Sequence, residues 1–489
     1  MKTRDAATEV VQVLQQKGFQ AVFAGGCVRD KLMGLKPHDF DIASSATPDK
    51  VEATFPNTIP VGKAFGVVRV QHKGFEFEVA TFRRDSTDSD GRRPNSVEFS
   101  SMIEDAKRRD LTINAVFEDP ISGEIHDFVG GVQDIQAKAI RFVGNAKDRI
   151  EEDALRILRA IRFSQKFGWD TSITDVEAVK TAINAGALLR LSAERVRDEL
   201  TKILSSAKDR GAAMHILLNF GVWAALVPEV AAMARQDQSP PWHREGSVVQ
   251  DVAHNEPATA FDPANEDHKD ASKFEVVQNG SVFDHVALVV ANLSRDASPG
   301  LLWAGVLHDI AKPATAQLKD KPDGKRWTFN GHEVEGVPMA EAILRKLKFS
   351  VDDIKAVCRL VRSHMELHRV FILKKHNLWK LVARDDFEDL VALGIADNWG
   401  SQSDTPRDFS WVTDLRNARE ELGPLPAPLV AGEDLIAAGF KPGPAFKTAL
   451  AQCFDKQLEL GWDREKLMKA VKGFVMTAEA KMALKSLET

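Results

Sequence analysis

The chain has 489 residues, 44% of them hydrophobic and 28% charged, a composition that is typical of a globular protein. Because a single hydrophobic core cannot serve so long a chain, we expect about three or four domains. The formal net charge of −6 argues against a uniformly basic nucleic-acid-binding surface, so any contact with RNA must come from local clusters of Lys and Arg.

Membrane-spanning and disulfide-bonded classes of protein are not indicated. No apolar run approaches the ~20 residues of a membrane span, and the first residues contain no signal-peptide core. The cysteines Cys27, Cys358 and Cys453 are far apart and form no CxxC pair, so neither a disulfide framework nor a zinc ribbon is predicted. We therefore expect a cytoplasmic protein without a membrane partner.

The first elements predict a phosphate-binding turn. An amphipathic helix is predicted over residues 5–18, and the apolar run at 21–24 predicts a strand that ends at Gly25 and Gly26. Without a Cβ, these glycines let backbone N–H groups approach a phosphate closely. Arg29, in the helix expected to follow, adds a permanent positive charge for the same anion.

A pair of carboxylates follows that turn. If residues 39–43 are extended, Asp39 and Asp41 leave the same face of the strand. Neighbouring carboxylates repel each other unless a cation lies between them, and oxygen ligands suit Mg²⁺. A phosphate site beside such a pair indicates phosphoryl or nucleotidyl transfer. Strands are predicted at 61–70 and 75–82, where Glu78 is a candidate third carboxylate or, alternatively, a solvated side chain on an edge strand.

The Gly-Gly-x-Val-Arg-Asp stretch at 25–30, followed by Asp39-Phe40-Asp41, resembles the active-site signature of the nucleotidyltransferase superfamily. It is particularly similar to class II tRNA nucleotidyltransferases (CCA-adding enzymes) and the related bacterial poly(A) polymerases. The resemblance implies that Gly25, Gly26 and Arg29 bind the nucleotide and that Asp39 and Asp41 are catalytic Mg²⁺ ligands.

Two further segments of the first domain fit the same family. Residues 83–97 are polar and predict a mobile charged loop, and in this family a loop beside the active site is linked to the switch from C to A addition. The run at 108–115 resembles the family motif R-R-D-x-T-I-N-A, which implies that Arg109 contacts the nucleotide. A β-hairpin over 116–143 is expected to close the domain.

One long helix is predicted over residues 149–167, with an apolar face and a charged one. A surface helix with ordinary i,i+4 ion pairs is one interpretation. The other is base selection: the Asp153 carboxylate can accept from the exocyclic amine of cytosine or adenine while the Arg156 guanidinium donates to the ring. Glu152-Asp153-x-x-Arg156 resembles the base-template motif of class II enzymes, which implies nucleotide contacts for Asp153, Arg156, Arg159 and Arg162. Residues 192–200 resemble the family's next motif, a supporting helix.

Residues 205–230 read as helical, whereas 235–280 are polar, lack periodicity and predict a long loop. Recurring histidines and aspartates then resemble the HD superfamily of metal-dependent phosphohydrolases. The resemblance implies a second divalent-metal site, for Mg, Mn, Ni or Co, formed by His285, His308, Asp309, His332, His364 and Asp397. Some bacterial CCA-adding enzymes carry such a domain with phosphatase and 2′,3′-cyclic phosphodiesterase activity. HD-type domains can also be scaffolds, and the sequence leaves both alternatives open.

The C-terminal segment 432–444 contains a Gly-Pro turn before a helix predicted at 445–460. Its exposed N–H groups can contact phosphate, and it resembles the family's tail that binds the tRNA elbow. The alternative is an ordinary connector between helices.

The whole sequence therefore predicts an α+β protein, in which an α/β nucleotidyltransferase head precedes all-helical neck, body/HD and tail domains. The expected activity is template-independent addition of CCA to tRNA from CTP and ATP, by a monomer that uses Mg²⁺. An A-adding enzyme and a poly(A) polymerase are alternatives of the same chemistry. Alternatives of other classes are an HD phosphohydrolase with a nucleotide-sensing head and a non-catalytic tRNA-binding protein. The predicted domains are 1–145 (head), 146–205 (neck), 206–280 (body), 281–400 (HD) and 401–489 (tail).

Overall fold

The computed structural model describes residues 2–60, 65–85, 97–169, 173–238, 280–321, 324–401 and 409–485. An N-terminal head with a β-sheet is followed by a long helical region, so the predicted mixed fold class is confirmed. Among the described residues, no helix combines the length and the apolar character that crossing a membrane requires.

The head is built on a seven-stranded sheet with the strand order β3-β4-β5-β2-β1-β8-β9. Strands β2 and β5 run parallel, and every other neighbouring pair is antiparallel. Central strand β1 is buried along its whole length. The strands of this sheet are β1 (Ala21–Ala24), β2 (Ile42–Ser44), β3 (Thr58–Ile59), β4 (Val67–His72), β5 (Phe75–Thr81), β8 (Val116–Glu118) and β9 (Ile125–Asp127).

Five helices within the described part of the head accompany the sheet, and their apolar faces cover it. Helix α1, predicted at 5–18, is observed at Thr3–Gln16, and it buries Ala6, Ala7, Val10, Val11 and Leu14 at helical spacing. The helices of the head are α1, α2 (Gly26–Leu32), α3 (Pro48–Thr54), α4 (Met102–Lys107) and α5 (Gly131–Ala137).

Two predictions for the head need correction. The ends of the predicted mobile loop at 83–97 pair as strands β6 (Arg83–Asp85) and β7 (Val97–Phe99), while residues 86–96 lie outside the described residues. The region 116–143 begins as the predicted hairpin, β8 and β9, but continues into helix α5. Asp127 causes this change of direction, because its carboxylate accepts hydrogen bonds from the backbone N–H groups of Val129, Gly131 and Val132.

The neck begins with two helices where one was predicted. Helix α6 (Ala146–Glu152) ends at Asp153, whose backbone is extended (φ −152°, ψ 101°), and α7 (Leu155–Phe167) begins after it. The Asp153 carboxylate accepts a hydrogen bond of 3.1 Å from the Leu155 N–H, a local bond that competes with helix continuation. The predicted single helix over 149–167 is therefore wrong. The neck continues with α8 (Val176–Asn184) and α9 (Ala193–Ser206), the latter matching the predicted supporting helix.

A single hydrophobic core runs from Leu111 to Leu415 and joins neck, body and HD region. The predicted loop at 235–280 lies mostly outside the described residues, at 239–279. The helices are α10 (Arg210–Asn219), α11 (Val222–Leu226), α12 (Pro228–Ala232), α13 (Val282–Asn292), α14 (Pro299–Leu307), α15 (Lys312–Thr315), α16 (His332–Lys346), α17 (Val351–Ser363), α18 (Lys375–Val382), α19 (Phe387–Gly400) and α20 (Ser410–Leu422). One hairpin in this region, β10 (Gln317–Lys321) with β11 (Gly324–Thr328), was not foreseen.

The tail has a small core of its own. Leu435, Ala449, Cys453, Leu467 and Val471 belong to it, and they come from α21 (Gly432–Ala437), α22 (Pro444–Leu460) and α23 (Arg464–Lys485). Helix α22 was predicted at 445–460. It packs against α18, where the His376 ring lies 2.7 Å from the Glu459 carboxylate.

Candidate active sites

The glycine turn lies between β1 and α2. Gly25 has a φ of 70°, and a Cβ on it would lie 3.0 Å from Arg109 Nη1, so only glycine allows this approach. The predicted phosphate ligand Arg29 is buried and already engaged by the protein. Its guanidinium donates hydrogen bonds to Asn114 Oδ1 at 2.5 Å and to Asp30 Oδ1 at 2.6 Å.

The strand considered from the sequence, over residues 39–43, would include the carboxylate pair. In the structure the pair lies just before β2, which begins at Ile42. Asp39 and Asp41 are both exposed, whereas Phe40 between them is buried, so the two carboxylates do share a face. Strand β5 runs parallel to β2 with Ile42 opposite Val79, which places Glu78 beside Asp41.

Electrostatics supports the proximity of these three groups. Surrounding protein partly desolvates the Asp41 carboxylate, and the charges of Glu78 and Asp39 repel it, so the pKa of Asp41 is raised despite the attraction of Arg109. Three negative groups in mutual repulsion are stabilised by a cation, and their oxygen atoms are suitable ligands for Mg²⁺.

A cavity of about 520 Å³ opens between head and neck. Seven cations and three carboxylates line it, which suits a polyanionic ligand. Its walls bring together all eight nucleotide-binding residues that the sequence predicted. The lining residues are Gly25, Gly26, Arg29, Asp41, Arg108, Arg109, Asp110, Asn114, Asp153, Arg156, Arg159, Arg162, Phe163 and Lys166.

On the head side, one buried carboxylate positions two arginines. Asp105 is 1% exposed and lies 2.7 Å from Arg108 Nη2 and 3.0 Å from Arg109 Nη2. Arg109 also donates to the Asn114 carbonyl at 3.0 Å and stacks over the Phe117 ring at 4.8 Å. The side chain predicted to contact nucleotide is thus held rigidly at the cavity wall.

An ion pair joins the head to the neck. Arg159 Nε donates to Asp110 Oδ2 at 2.6 Å, and Asp110 Oδ1 accepts from Leu111 N–H and Asn114 Nδ2. Burial disfavours the Asp110 charge, but the attraction and hydrogen bonds of Arg159 outweigh it and hold the pKa of Asp110 below its usual value. The same pair, against the effect of burial, raises the pKa of Arg159.

The predicted base-reading pair is fixed by other partners. Asp153 Oδ2 lies 2.6 Å from Arg195 Nη2 on α9. Arg156 donates to Glu152 Oε2 at 2.7 Å and to the carbonyls of Arg149 and Arg108, and no partner of its Nε–H is found among the described residues. Both side chains therefore keep capacity for a ligand while their orientations are fixed.

Sequence reasoning gave no role to several lining residues, namely Arg108, Asp110, Asn114, Phe163 and Lys166. Phe163 is 6% exposed and would be assigned to the core by its helical spacing. Only its place directly after Arg162, inside the charged motif, could have indicated a role at the site. Burial and the nearby Arg29 lower the pKa of Lys166.

A second site lies among the helices of the HD region. Its histidines are buried, and each Nδ1 lies 2.7–2.9 Å from a backbone carbonyl oxygen. Because a carbonyl only accepts, each Nδ1 carries the hydrogen, and in the neutral ring each Nε2 has a lone pair. The pairs are His285 with Gly400, His308 with Gly305, His332 with Phe329 and His364 with Val361.

The Nε2 atoms converge in two pairs. His285 and His308 are 3.3 Å apart, and His332 and His364 are 3.1 Å apart. Asp309 lies between the pairs, with Oδ2 3.2 Å from Nε2 of both His285 and His308 and Oδ1 3.1 Å from Nε2 of His332. Facing lone pairs repel each other unless a cation lies between them. The donor set fits two cations that share the Asp309 carboxylate.

Two further observations fit this interpretation. Asp309 Oδ2 is buried without a hydrogen bond of normal geometry, although Lys312 Nζ lies 2.6 Å away. Burial opposes the charged form of His285, but the adjacent Asp309 and Asp397 carboxylates prevail and raise its pKa to about 9. All six predicted residues, including Asp397 at 3.1 Å from His285, are brought together.

Comparisons with known families match three segments of the chain. The family described as poly A polymerase head domain matches residues 21–141, and the HD domain family matches 282–398. A family described as a probable RNA and SrmB-binding site of polymerase A matches 177–233.

Known relatives agree with these matches. A CCA-adding enzyme from Bacillus pumilus is 47% identical over 199 residues, which is 40% of this chain and 49% of that protein. One from Staphylococcus aureus is 41% identical over 201 residues, 41% of this chain and 50% of that protein. The chain thus spans about half the length of the curated relatives it matches.

A solved structure extends the similarity in fold. The crystal structure of the Bacillus stearothermophilus CCA-adding enzyme in complex with CTP has a TM-score of 0.64 and 25% identity, and the match covers 98% of this chain and 100% of that one. The resemblance that the motifs implied, a head of the CCA-adding and poly(A) polymerase type joined to an HD domain, is confirmed.

Replacement of Asp110 by asparagine should destabilise the protein in a pH-dependent way. Because its folded pKa is lowered, Asp110 contributes stability that is present above the unfolded value of about 3.9 and is lost as pH falls further. At pH 7 we expect a loss of about 1.5–3 kcal/mol, the range for hydrogen bonds to charged groups. Thermal unfolding of wild type and variant at pH 7 measures the loss of stability, and the same comparison at about pH 3.5 measures how much of that loss disappears when the carboxylate is protonated.

The control is Glu104→Gln, which removes an exposed pair with Lys107 and should cost less than about 1 kcal/mol. An Asp110→Asn deficit that is equally large at both pH values would contradict the role given to the carboxylate charge.

Metal binding at the HD site can be measured directly. Chelator-treated protein titrated with Co²⁺ should develop visible absorption bands from imidazole ligation and saturate at about two equivalents. Asp309→Asn weakens a ligand common to both ions and should lower the affinity at least about tenfold. His376→Ala, which removes a histidine outside the cluster, serves as the control. Unchanged Co²⁺ binding by Asp309→Asn would exclude a shared carboxylate.

Proposed function

We propose that this chain, whose residues 21–141 belong to the poly A polymerase head-domain family, adds CCA to the 3′ end of tRNA without a nucleic-acid template. The observation that carries the proposal is the cavity between head and neck, where Asp41, the glycine turn and the arginines of α7 meet. CCA-adding enzymes from Bacillus pumilus and Bacillus stearothermophilus, the latter in complex with CTP, are similar to it.

Nucleotidyl transfer at this cavity balances simply. The oxygen of the tRNA 3′-hydroxyl forms a bond to the α-phosphorus of CTP or ATP and gives its proton to water. The bond from the α-phosphorus to the oxygen that bridges it to the β-phosphorus breaks, and pyrophosphate leaves. Asp39, Asp41 and Glu78 would hold Mg²⁺, which supplies charge neutralisation and activation of the hydroxyl. Gly25 lets the triphosphate approach the backbone, and Arg109 lies at the same wall. Arg109 and the other cations that line the cavity would neutralise the triphosphate charge.

Base choice is assigned to Asp153 and Arg156. Cytosine and adenine both present an exocyclic amine beside a ring acceptor, which an Asp/Arg pair can read, whereas uracil and guanine present the reverse pattern. Arg195 and Glu152 fix the two side chains in advance, so little ordering remains at binding. The protein would thus take the place of a template strand.

A tRNA partner is supported by more than the head. The segment 177–233 matches a probable RNA-binding family, and helix α22 of the tail begins at the Gly443-Pro444 turn that is expected to contact phosphate. We propose tRNA, CTP and ATP as partners, and a monomer as the active state. An A-adding enzyme would keep the same cavity, and a poly(A) polymerase would extend any RNA.

A second proposed activity belongs to the HD region, hydrolysis of phosphate esters such as 2′,3′-cyclic phosphates. The convergence of four histidine Nε2 atoms on Asp309 favours it over a scaffold role, because a scaffold has no use for facing lone pairs. Here the oxygen of water bonds to phosphorus, one bond from phosphorus to a ribose oxygen breaks, and that oxygen takes a proton. Divalent ions would supply Lewis acidity and lower the pKa of water.

The first activity is tested with purified protein and tRNA transcripts that end before CCA or after CC, each with CTP, ATP or both. The wild type should add CCA and then stop. Asp41→Asn removes one carboxylate charge of the metal site and should lower the rate at least about 100-fold, a loss of ~2.7 kcal/mol of transition-state stabilisation.

Glu104→Gln, on the exposed face of α4, is the control and should retain the wild-type rate. Extension of only CC-ended tRNA by a single A would indicate an A-adding enzyme, and long A-tails on unrelated RNA would indicate a poly(A) polymerase. Absence of any incorporation would overturn the proposal.

The second activity is tested with 2′,3′-cyclic AMP and added Mn²⁺, Ni²⁺ or Co²⁺. His308→Ala removes a central ligand and should abolish hydrolysis, while CCA addition continues at a rate within about twofold of the wild type because the two sites are separate. His376→Ala should affect neither activity. Wild-type protein that hydrolyses nothing with any of the three metals, or His308→Ala that remains active, would exclude this second activity.

A further inference from the structure

One aromatic ring lies in the wall of the cationic cavity. Phe163, on α7, has the guanidinium carbon of Arg162 4.2 Å from its ring centroid, that of Arg29 at 5.0 Å and that of Arg159 at 5.8 Å. All three arginines line the cavity, and so does Phe163 itself. A cation within about 6 Å of a ring centroid is attracted by the negative face of the ring.

These cations come from different parts of the chain. Arg29 belongs to helix α2 of the head, directly after the glycine turn, whereas Arg159 and Arg162 belong to the neck helix. Like charges gathered around one ring repel each other, and each therefore needs a compensating partner. Carboxylates supply part of this compensation, because Asp30 pairs with Arg29 and Glu199 with Arg162. The ring faces supply the rest without adding a negative charge that would repel a triphosphate.

We infer that Phe163 is a positioning residue for nucleotide binding, which holds Arg29 of the head and Arg162 of the neck in one fixed arrangement around the incoming nucleotide. The inference deepens the proposed nucleotidyl transfer and rests on it. A leucine at this position could fill much of the same space in the core, but it has no negative ring face. Arg162 and Arg29 would then lose the ring that lies 4.2 Å and 5.0 Å from their guanidinium carbons, and their mutual repulsion would be less compensated. Glu199 would still hold Arg162, and Asp30 and the Phe167 ring would still hold Arg29, but both guanidiniums would be positioned less precisely.

The predicted defect is a defect in nucleotide binding. If the guanidinium groups must be ordered when the nucleotide binds, the lost conformational entropy lowers the affinity. The bond-forming centre at Asp41 does not change. Phe163→Leu should therefore raise KM for both CTP and ATP by about fivefold or more and leave kcat within about twofold. Phe163→Tyr, which keeps the ring, should restore the wild-type KM.

A matched control separates this role from packing. Phe142 is fully buried in the same hydrophobic core, and no cation over its ring is found among the described residues. Phe142→Leu should lower the melting temperature at least as much as Phe163→Leu does. Its KM for CTP, measured well below the melting temperature, should equal that of the wild type.

The experiment measures CTP addition to tRNA lacking CCA and ATP addition to tRNA ending in CC, together with the melting temperature of each variant. An unchanged KM in Phe163→Leu, or an equal rise in KM in Phe142→Leu, would overturn the inference. If the wild-type protein adds no nucleotide, the proposed function fails, and equilibrium binding of ATP in the absence of RNA decides the inference separately. ATP affinity must then still fall about fivefold or more in Phe163→Leu alone.

Discussion

The ion pair between Asp110 of the head and Arg159 of the neck is the interaction on which the arrangement of the cavity depends. Its atoms lie 2.6 Å apart in a largely buried setting, where an unpaired charge would be costly. The pair fixes how α7 lies against the head. Helix α7 in turn carries Arg156, Arg162 and Phe163 into the cavity.

The same principle recurs around the cavity wall. Asp105 holds two arginines of the head, Glu199 holds Arg162, and Arg195 holds Asp153. Each charged group is oriented by an opposite charge before any ligand arrives. Much of the ordering cost of binding is therefore met during folding, which is the physical meaning of a preorganised site.

Helix α9 contacts both the cavity and the helix that leads into the second site. Its Arg195 and Glu199 support the cavity, and its Thr201 hydroxyl accepts a hydrogen bond of 2.9 Å from Trp303 on α14, the helix that ends before His308. The second site follows a different logic. There the histidine Nε2 atoms face each other, and their lone pairs repel unless a cation lies between them, whereas the arginines of the cavity are compensated by carboxylates.

Residue patterns predicted the residues of each candidate site better than they predicted the local backbone geometry. Gly25 and Asp41 could be selected because their chemistry requires those residue types at that spacing, whereas the six residues of the HD cluster could be selected through their resemblance to the HD superfamily. The break at Asp153 could not, since helical periodicity continues across it and only the side-chain bond to the Leu155 N–H interrupts the helix. Phe163 was missed because a buried aromatic residue on a helix usually reflects packing alone, and the contact with Arg29, which joins the ring to the head, comes from a residue remote in sequence.

The most direct test of this account is the equilibrium affinity of the wild-type protein for CTP, ATP, UTP and GTP with Mg²⁺ and without RNA. A preorganised Asp153/Arg156 pair that replaces a template predicts that CTP and ATP bind at least about tenfold more tightly than UTP and GTP, equivalent to ~1.4 kcal/mol. Equal affinity for all four nucleotides would contradict base selection by the folded cavity.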